Sequence, residues 1–171
     1  ARYTVVDPTF GESRSIEVIA DYFPSERLSE RTFERILSFN CLEHVEDPAA
    51  FLDAVHRRLA PGSKVILSFP DTERQLRASD LNALTHEHLS YFTRASANRL
   101  FARSGLRAVA WESDEESLWV LLQAADGGTD EAHETAADER ILSRLGARLA
   151  GVFEERRQAV RIALEEGTVA F

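Results

Sequence analysis

Between Phe33 and Pro70 the chain sets out a strand, a helix and a second strand in succession, and this order constrains the fold more than any other feature. Phe33 to Phe39 is an apolar run of strand length. Asp47-Pro48 then opens a segment whose apolar positions Phe51, Leu52, Val55 and Leu59 recur at helical spacing, and Pro61-Gly62 is expected to stop it. Lys64 to Phe69 reads as the next strand, halted by Pro70-Asp71. Two shorter runs come first: Tyr3 to Val6, closed by Asp7-Pro8, and Ser15 to Ala20, ending in Asp21. Thr72 to Thr93 has no clean period and is long enough for a functional loop or lid. Arg94 to Arg103 predicts a helix ended by Ser104-Gly105, as a left-handed cap requires. Leu106 to Trp111 and Leu118 to Ala124 form a hairpin across the acidic turn Glu112 to Glu116. Strands alternating with helices imply an α/β, doubly wound, Rossmann-like sheet. It should be mostly parallel, with helices on both faces and an antiparallel hairpin at its edge.

The ends differ from this core. Asp126 to Glu139 holds six acids and no Lys or Arg, which suits a solvated linker. Beyond it Ile141, Leu145, Leu149, Val152, Phe153, Val160 and Leu164 fall near multiples of 3.6 on a long charged helix, and Thr168 to Phe171 begins a further strand. The expected division is a core over 1–125, an acidic linker over 126–139, and over 140–171 a long C-terminal helix with the first strand of another domain. With no methionine and a strand-like start, the sequence reads as part of a longer chain.

The net charge of -9 argues against nucleic acid as the main partner, because phosphate neutralisation needs clustered Lys and Arg; a locally basic pocket remains compatible with it. Cys41 is the only cysteine, so neither an internal disulfide nor a cysteine metal cage can form. No apolar run approaches the roughly 20 residues that span a bilayer. A cytoplasmic protein with no membrane partner is the expectation.

In a doubly wound sheet, ligands bind outside the carboxyl ends of the strands, so polar residues there come first. Asp7 is placed to accept hydrogen bonds from a ribose. Asp21 could accept from an adenine amino group while the Tyr22 backbone N–H meets a ring nitrogen. The alternative makes both aspartates turn formers beside Pro8 and Pro24. Asn40 and Cys41 would line the crossing at the top of the next strand, with His44 a packed loop histidine and Asp47 a helix N-cap. In Thr85-His86-Glu87-His88-Leu89-Ser90-Tyr91-Phe92-Thr93, two histidines flank a carboxylate, and histidine is the side chain best poised to move protons near neutral pH. His86 and His88 could also ligate a metal, but further ligands would have to come from far away, so no metal site is expected. Alternatively Leu89, Tyr91 and Phe92 are core anchors, with Thr93 capping the next helix.

Phe33 to Pro48, then Phe51-Leu52, Leu59-Ala60-Pro61-Gly62 and a strand ending in Pro70, together resemble the central part of class I S-adenosylmethionine-dependent methyltransferases. With Val5-Val6-Asp7-Pro8 upstream and Arg103-Ser104-Gly105-Leu106 downstream, the resemblance spans about residues 3 to 124. It implies S-adenosyl-L-methionine as cofactor, with Asp7, Asp21, Tyr22, Asn40 and Cys41 on its binding side. His86-Glu87-His88-Leu89-Ser90-Tyr91-Phe92 further resembles the loop of C-methyltransferases acting on nucleotide-linked keto-sugars. That likeness implies His88 as the base that removes a proton next to a ketone, with Glu87 and His86 beside it. It also implies a long helix leading into a second Rossmann-like domain. Thr85 stands where that family has a tyrosine. The eight glycines form no Gly-x-Gly loop, and the family's cysteine-rich zinc-binding region has no counterpart, so this stretch alone is expected to bind the cofactor weakly and to be inactive. O- or N-methylation of a small molecule, and a non-catalytic scaffold acting through the helix at 139 to 166, are the alternatives.

Overall fold

The computed structural model describes residues 3–78, 80, 85–114 and 116–125, together with positions 151, 154, 155, 157, 158 and 161. Strand β3 (Phe33–Phe39) lies parallel to β4 (Leu59–Pro70), with Ile36 opposite Val65 and Phe39 opposite Ser68. The earlier strands, β1 (Thr4–Val6) and β2 (Glu17–Ile19), form a separate parallel pair. Strand β2 starts later than its apolar run because Ser13 Oγ accepts from the amides of Ser15 and Ile16, which satisfies that backbone locally. Arg31 bridges the pair, donating to Glu17 Oε1 at 3.0 Å, Glu17 Oε2 at 2.9 Å and Thr4 Oγ1 at 2.8 Å.

Helix α1 (Pro48–Arg57) connects β3 to β4. Asp47 caps it by accepting from the Ala50 amide, proline occupies the first turn, and Phe51, Leu52, Ala54 and Val55 are buried. The helix ends before Leu59, earlier than its apolar spacing suggests. Phe33 N donates to Arg58 O at 2.8 Å and draws the chain into the sheet, so Leu59 pairs with Phe33. Pro61 and Gly62 therefore lie inside β4, where the register shifts between Phe33 and Arg35. Such an irregularity is where a sheet tolerates proline and a glycine at φ 77°.

Strands β5 (Leu106–Ser113) and β6 (Ser117–Ala124) make the expected hairpin, but the sheet order is β3-β4-β6-β5. The antiparallel strand is therefore inside the sheet rather than at its edge, with β6 running against both β4 and β5. Composition accounts for this correction. Leu118, Val120 and Leu122 of β6 are fully buried and its other side chains largely apolar, whereas β5 carries Arg107 and Glu112, which suit an edge.

Helix α3 (Arg94–Arg103) has the bounds its pattern predicts. Thr93 and Ser96 form a reciprocal capping box, and Gly105 beyond its end has φ 71°. That positive φ is what favours glycine there, and a Cβ would also stand 3.0 Å from His56 Cε1. Helix α2 (Thr72–Arg77) arises in the stretch without a period; Asp71 caps it at the Arg74 amide and accepts from Ser113 Oγ. Six residues are too few to reveal a helical repeat.

The core joins Leu52 and Val55 of α1, Phe101 of α3, Val65, Leu67 and Phe69 of β4, and the inward residues of β5 and β6. The opposite face of the sheet presents Leu37, Phe39 and Ile66, which are 58%, 49% and 37% exposed. The described helices α1 and α3 thus cover one face of the two expected. Positions 151, 154, 155, 157, 158 and 161 are helical. The remaining positions of the expected long helix, including its apolar seam, lie outside the described residues, as do the expected linker over 126–139 and the expected strand at Thr168 to Phe171. Among the described residues no helix is long and apolar enough to cross a membrane.

The β5–β6 turn carries its own titration signature. Asp114 Oδ1 accepts from the amides of Glu116 at 2.9 Å and Ser117 at 2.7 Å, and Oδ2 accepts from the Trp119 indole at 2.7 Å. These donors, the indole foremost, hold its carboxyl below its ordinary value of 3.8. A lowered folded pKa means the ionised form stabilises the fold above the unfolded pKa, and that contribution disappears as pH falls through the lower value. Asp114→Ala is expected to melt below the parent at pH 6, with the gap narrowing as pH drops below about 4 in thermal scans. A gap constant across that range would remove the charge from the explanation.

Candidate active site

The site is built where β3 ends. Asn40 takes a left-handed conformation, φ 46°, and its N–H donates to Ser68 O at 2.9 Å, so the chain leaves the sheet sharply. A single 3-10 turn, Leu42–His44, follows. Leu42 drops into the core and carries its neighbour Glu43 inward, leaving that carboxylate 2% exposed.

The loop from residue 85 to 93 is tied to this turn by backbone. Leu89 N and Ser90 N donate to the Glu43 carbonyl at 2.8 and 3.1 Å, and His44 Nδ1 donates to the Glu87 carbonyl at 2.9 Å. Tyr91 donates its phenol hydrogen to Thr85 O at 3.1 Å, and Phe92 anchors the loop edge-on against Phe69 at 5.3 Å. These ties bring the His88 ring edge-on to His44, centroids 4.9 Å apart, with Tyr91 at 6.0 Å. Ligand-capable atoms of Glu43, His44 and His88 all lie within 4.8 Å of one another.

Burial pushes the Glu43 carboxyl up, partly offset by its own backbone amide and the two nearby imidazoles. Its Oε2 makes no hydrogen bond among the described residues, while Oε1 stands 3.7 Å from His44 Nε2. Because the Nδ1 proton of His44 goes to the Glu87 carbonyl, a neutral ring leaves Nε2 bare and facing the carboxylate. Burial likewise raises the Cys41 thiol, with the charges of Glu43 and Asp7 adding to it, so Cys41 stays protonated and is a poor nucleophile.

Of the catalytic candidates, His88 alone joins this cluster. The His86 and Glu87 side chains are 93% and 70% exposed and 3.8 Å apart, directed to solvent. On the cofactor side, Asp7 ends β1, where its Oδ1 accepts from Thr9 N, Thr9 Oγ1 and Phe10 N. Its Oδ2 takes no hydrogen bond among the described residues. Asp21 follows β2 and accepts from the Tyr22 amide at 2.8 Å and Ser25 Oγ at 2.6 Å. The Thr9 hydroxyl at Asp7 and the Ser25 hydroxyl at Asp21 are the main reasons both carboxyls stay below their ordinary range. Both aspartates thus form turns while remaining charged at the strand ends. The Tyr22 amide is engaged with Asp21, and its ring is 75% exposed.

Two participants escaped the sequence reading. Glu43 lies between Leu42 and His44, and a carboxylate directly after an apolar residue in a turn is the only signal it offers. Tyr91, read as a core anchor together with Leu89 and Phe92, is 39% exposed beside His88; Leu89 is 57% exposed and Phe92 alone is buried. Among the described residues Glu43 and His44 stand beside His88 rather than His86. A shallow cleft adjoins the loop, lined among others by Asp47, Ser90, Tyr91, Arg99 and Arg103.

The chain is 28% identical over 102 residues to the C-methyltransferase NovU of Streptomyces niveus, covering 59% of this chain and 24% of that protein. It therefore spans about a quarter of that relative's length. An S-adenosylmethionine-dependent methyltransferase from Clostridium acetobutylicum superposes with a TM-score of 0.55 at 9% identity, covering 73% of this chain and 76% of that one. A complex between the Haloferax volcanii Trm112 methyltransferase activator and a methyltransferase gives a TM-score of 0.58 at 12% identity, covering 72% of each chain. At these identities the two structures speak for the fold. A family model described as a methyltransferase domain matches residues 1–110, and on that match the chain belongs to the S-adenosylmethionine-dependent methyltransferases.

Proposed function

We propose that the complete protein methylates carbon next to a ketone, in a sugar carried on a nucleotide. The observation that carries this reading is the position of His88, held by its loop against His44 and Tyr91 beside the strand ends. Bound S-adenosyl-L-methionine would supply an electrophilic methyl group on sulfur. Asp7 would hold the ribose hydroxyls through its free Oδ2, and Asp21, Asn40 and Cys41 would line the neighbouring ground. His88 would take the proton from the carbon beside the ketone, and His44, edge-on to it, would limit how that ring turns. Tyr91 provides a phenol close to His88 in a loop that lacks one at Thr85. Arg99 and Arg103 place positive charge along the adjoining cleft, which suits the phosphates of a nucleotide-sugar. The similarity to a C-methyltransferase supports carbon as the acceptor atom.

Product analysis tests the acceptor. With a 13C-methyl donor and a nucleotide-linked keto-sugar, the full-length protein should give a new carbon–carbon bond by NMR. An ether or an N-methyl product would replace this reading with O- or N-methylation.

A further inference from the structure

We infer that Glu43, His44 and His88 form a binding site for a divalent transition-metal ion of the zinc class. Two imidazoles and one carboxylate are a donor set that such ions favour over magnesium or calcium, which prefer oxygen alone. The three groups come from two separate loops and are held together by backbone hydrogen bonds from Leu89 and Ser90 to the Glu43 carbonyl. The orientation of His44 is what a metal ligand requires: Nδ1 donates to a backbone carbonyl, which fixes the tautomer and turns the Nε2 lone pair toward Glu43. The second sign is Glu43 itself. Its carboxylate is 2% exposed and its Oε2 has no hydrogen-bond partner among the described residues. A buried carboxylate oxygen without a donor is costly, and a bound cation would relieve that cost. Two electron-pair acceptors facing each other at 3.7 Å, too long for a hydrogen bond, leave a place for a positive charge between them.

The dimensions are close. Ligand atoms within 4.8 Å of one another would need to draw in slightly, since two ligands about 2.1 Å from one ion lie at most about 4.2 Å apart. His44 is 39% exposed at its side chain, so an ion can enter from solvent. Three protein ligands leave a fourth position, which would accept a carbonyl or hydroxyl oxygen. A His88 lone pair bound to an ion cannot also remove a proton, so the loaded site and the His88 base are alternative states of one loop. This inference does not rest on the proposed reaction, because cation binding is read with neither methyl donor nor acceptor present.

The experiment titrates the chain with zinc alone and with cobalt alone, after treatment with a chelator. One equivalent should bind, cobalt should develop the visible absorption of a tetrahedral or five-coordinate ion, and zinc should raise the melting temperature. Glu43→Gln, which keeps the side-chain shape, and His88→Ala should each weaken binding at least tenfold and lose the zinc-dependent rise in melting. His86→Ala, at a solvent-directed histidine, should bind as the parent does. Absence of stoichiometric binding would overturn the inference. So would binding that survives both Glu43→Gln and His88→Ala, or that disappears with His86→Ala, since these mark adventitious uptake by surface histidines.

Discussion

In the full-length protein, His88→Ala is expected to lower methyl transfer by about 10²–10⁴-fold while changing the affinity for S-adenosyl-L-methionine by less than about twofold. The first figure is what a positioned base contributes when a proton must leave carbon. The second follows from the layout: Asp7 and Asp21 end β1 and β2, whereas His88 stands on the loop fastened to the turn after β3. Deleting the imidazole removes a ring from a partly exposed pocket and leaves intact the backbone ties at Leu89 and Ser90. Single-turnover rates with a labelled methyl donor, set beside calorimetry of donor binding, separate the two effects. Undiminished transfer would take His88 out of the reaction; equal losses in rate and donor binding would make it a binding residue instead.

The largest expected effect on stability is at Phe101. It is completely buried in α3 and packs against Trp111, with ring centroids 6.1 Å apart, while Trp111 also meets Phe69 at 6.2 Å. Truncation to alanine removes most of that apolar contact and leaves a void that flanking strands cannot close, a cost of about 3–5 kcal/mol. Phe39→Ala is the matched control. Its ring is 49% exposed on the opposite face of the sheet and rests on Trp119 at 5.3 Å, so its truncation should cost less than about 1.5 kcal/mol. Urea unfolding of both variants measures the difference. A Phe101→Ala cost no larger than that of Phe39→Ala would show that α3 is not what closes this core. Because Thr93 begins α3, a loosened helix should also slacken the end of the loop that carries His88.

The parts of the fold legible in sequence are those decided by neighbours along the chain. The bounds of α3 follow from Thr93 and Gly105, which cap it with their own chemistry, and β3 follows from a compact apolar run. Features decided by partners distant in sequence were not legible. Leu59 continues the helical spacing of α1, yet pairing with Phe33 claims it for β4. The hairpin was visible, but nothing within it says which strand meets β4. The site divides in the same way. Among the candidates, His88 has a motif of its own, and Asp7 and Asp21 have a place after strands. Glu43 acquires meaning only when the loop at 88 to 90 closes over its carbonyl, a contact between segments that share no local pattern.

The interior position of β6 sets an order of assembly. Its residues pair with β4 on one side and β5 on the other, so nothing joins β5 to the rest of the sheet by strand pairing until Ser117–Ala124 is available. During synthesis the β3–β4 unit can form early, since its pairing depends on residues already made. The four-stranded sheet cannot close until the last strand has cleared the ribosome, and the apolar seam of β4 must wait exposed until then. Nascent chains halted before residue 117 should accordingly be far better chaperone substrates than chains halted well beyond 125, a vulnerability created by strand order rather than by any single residue.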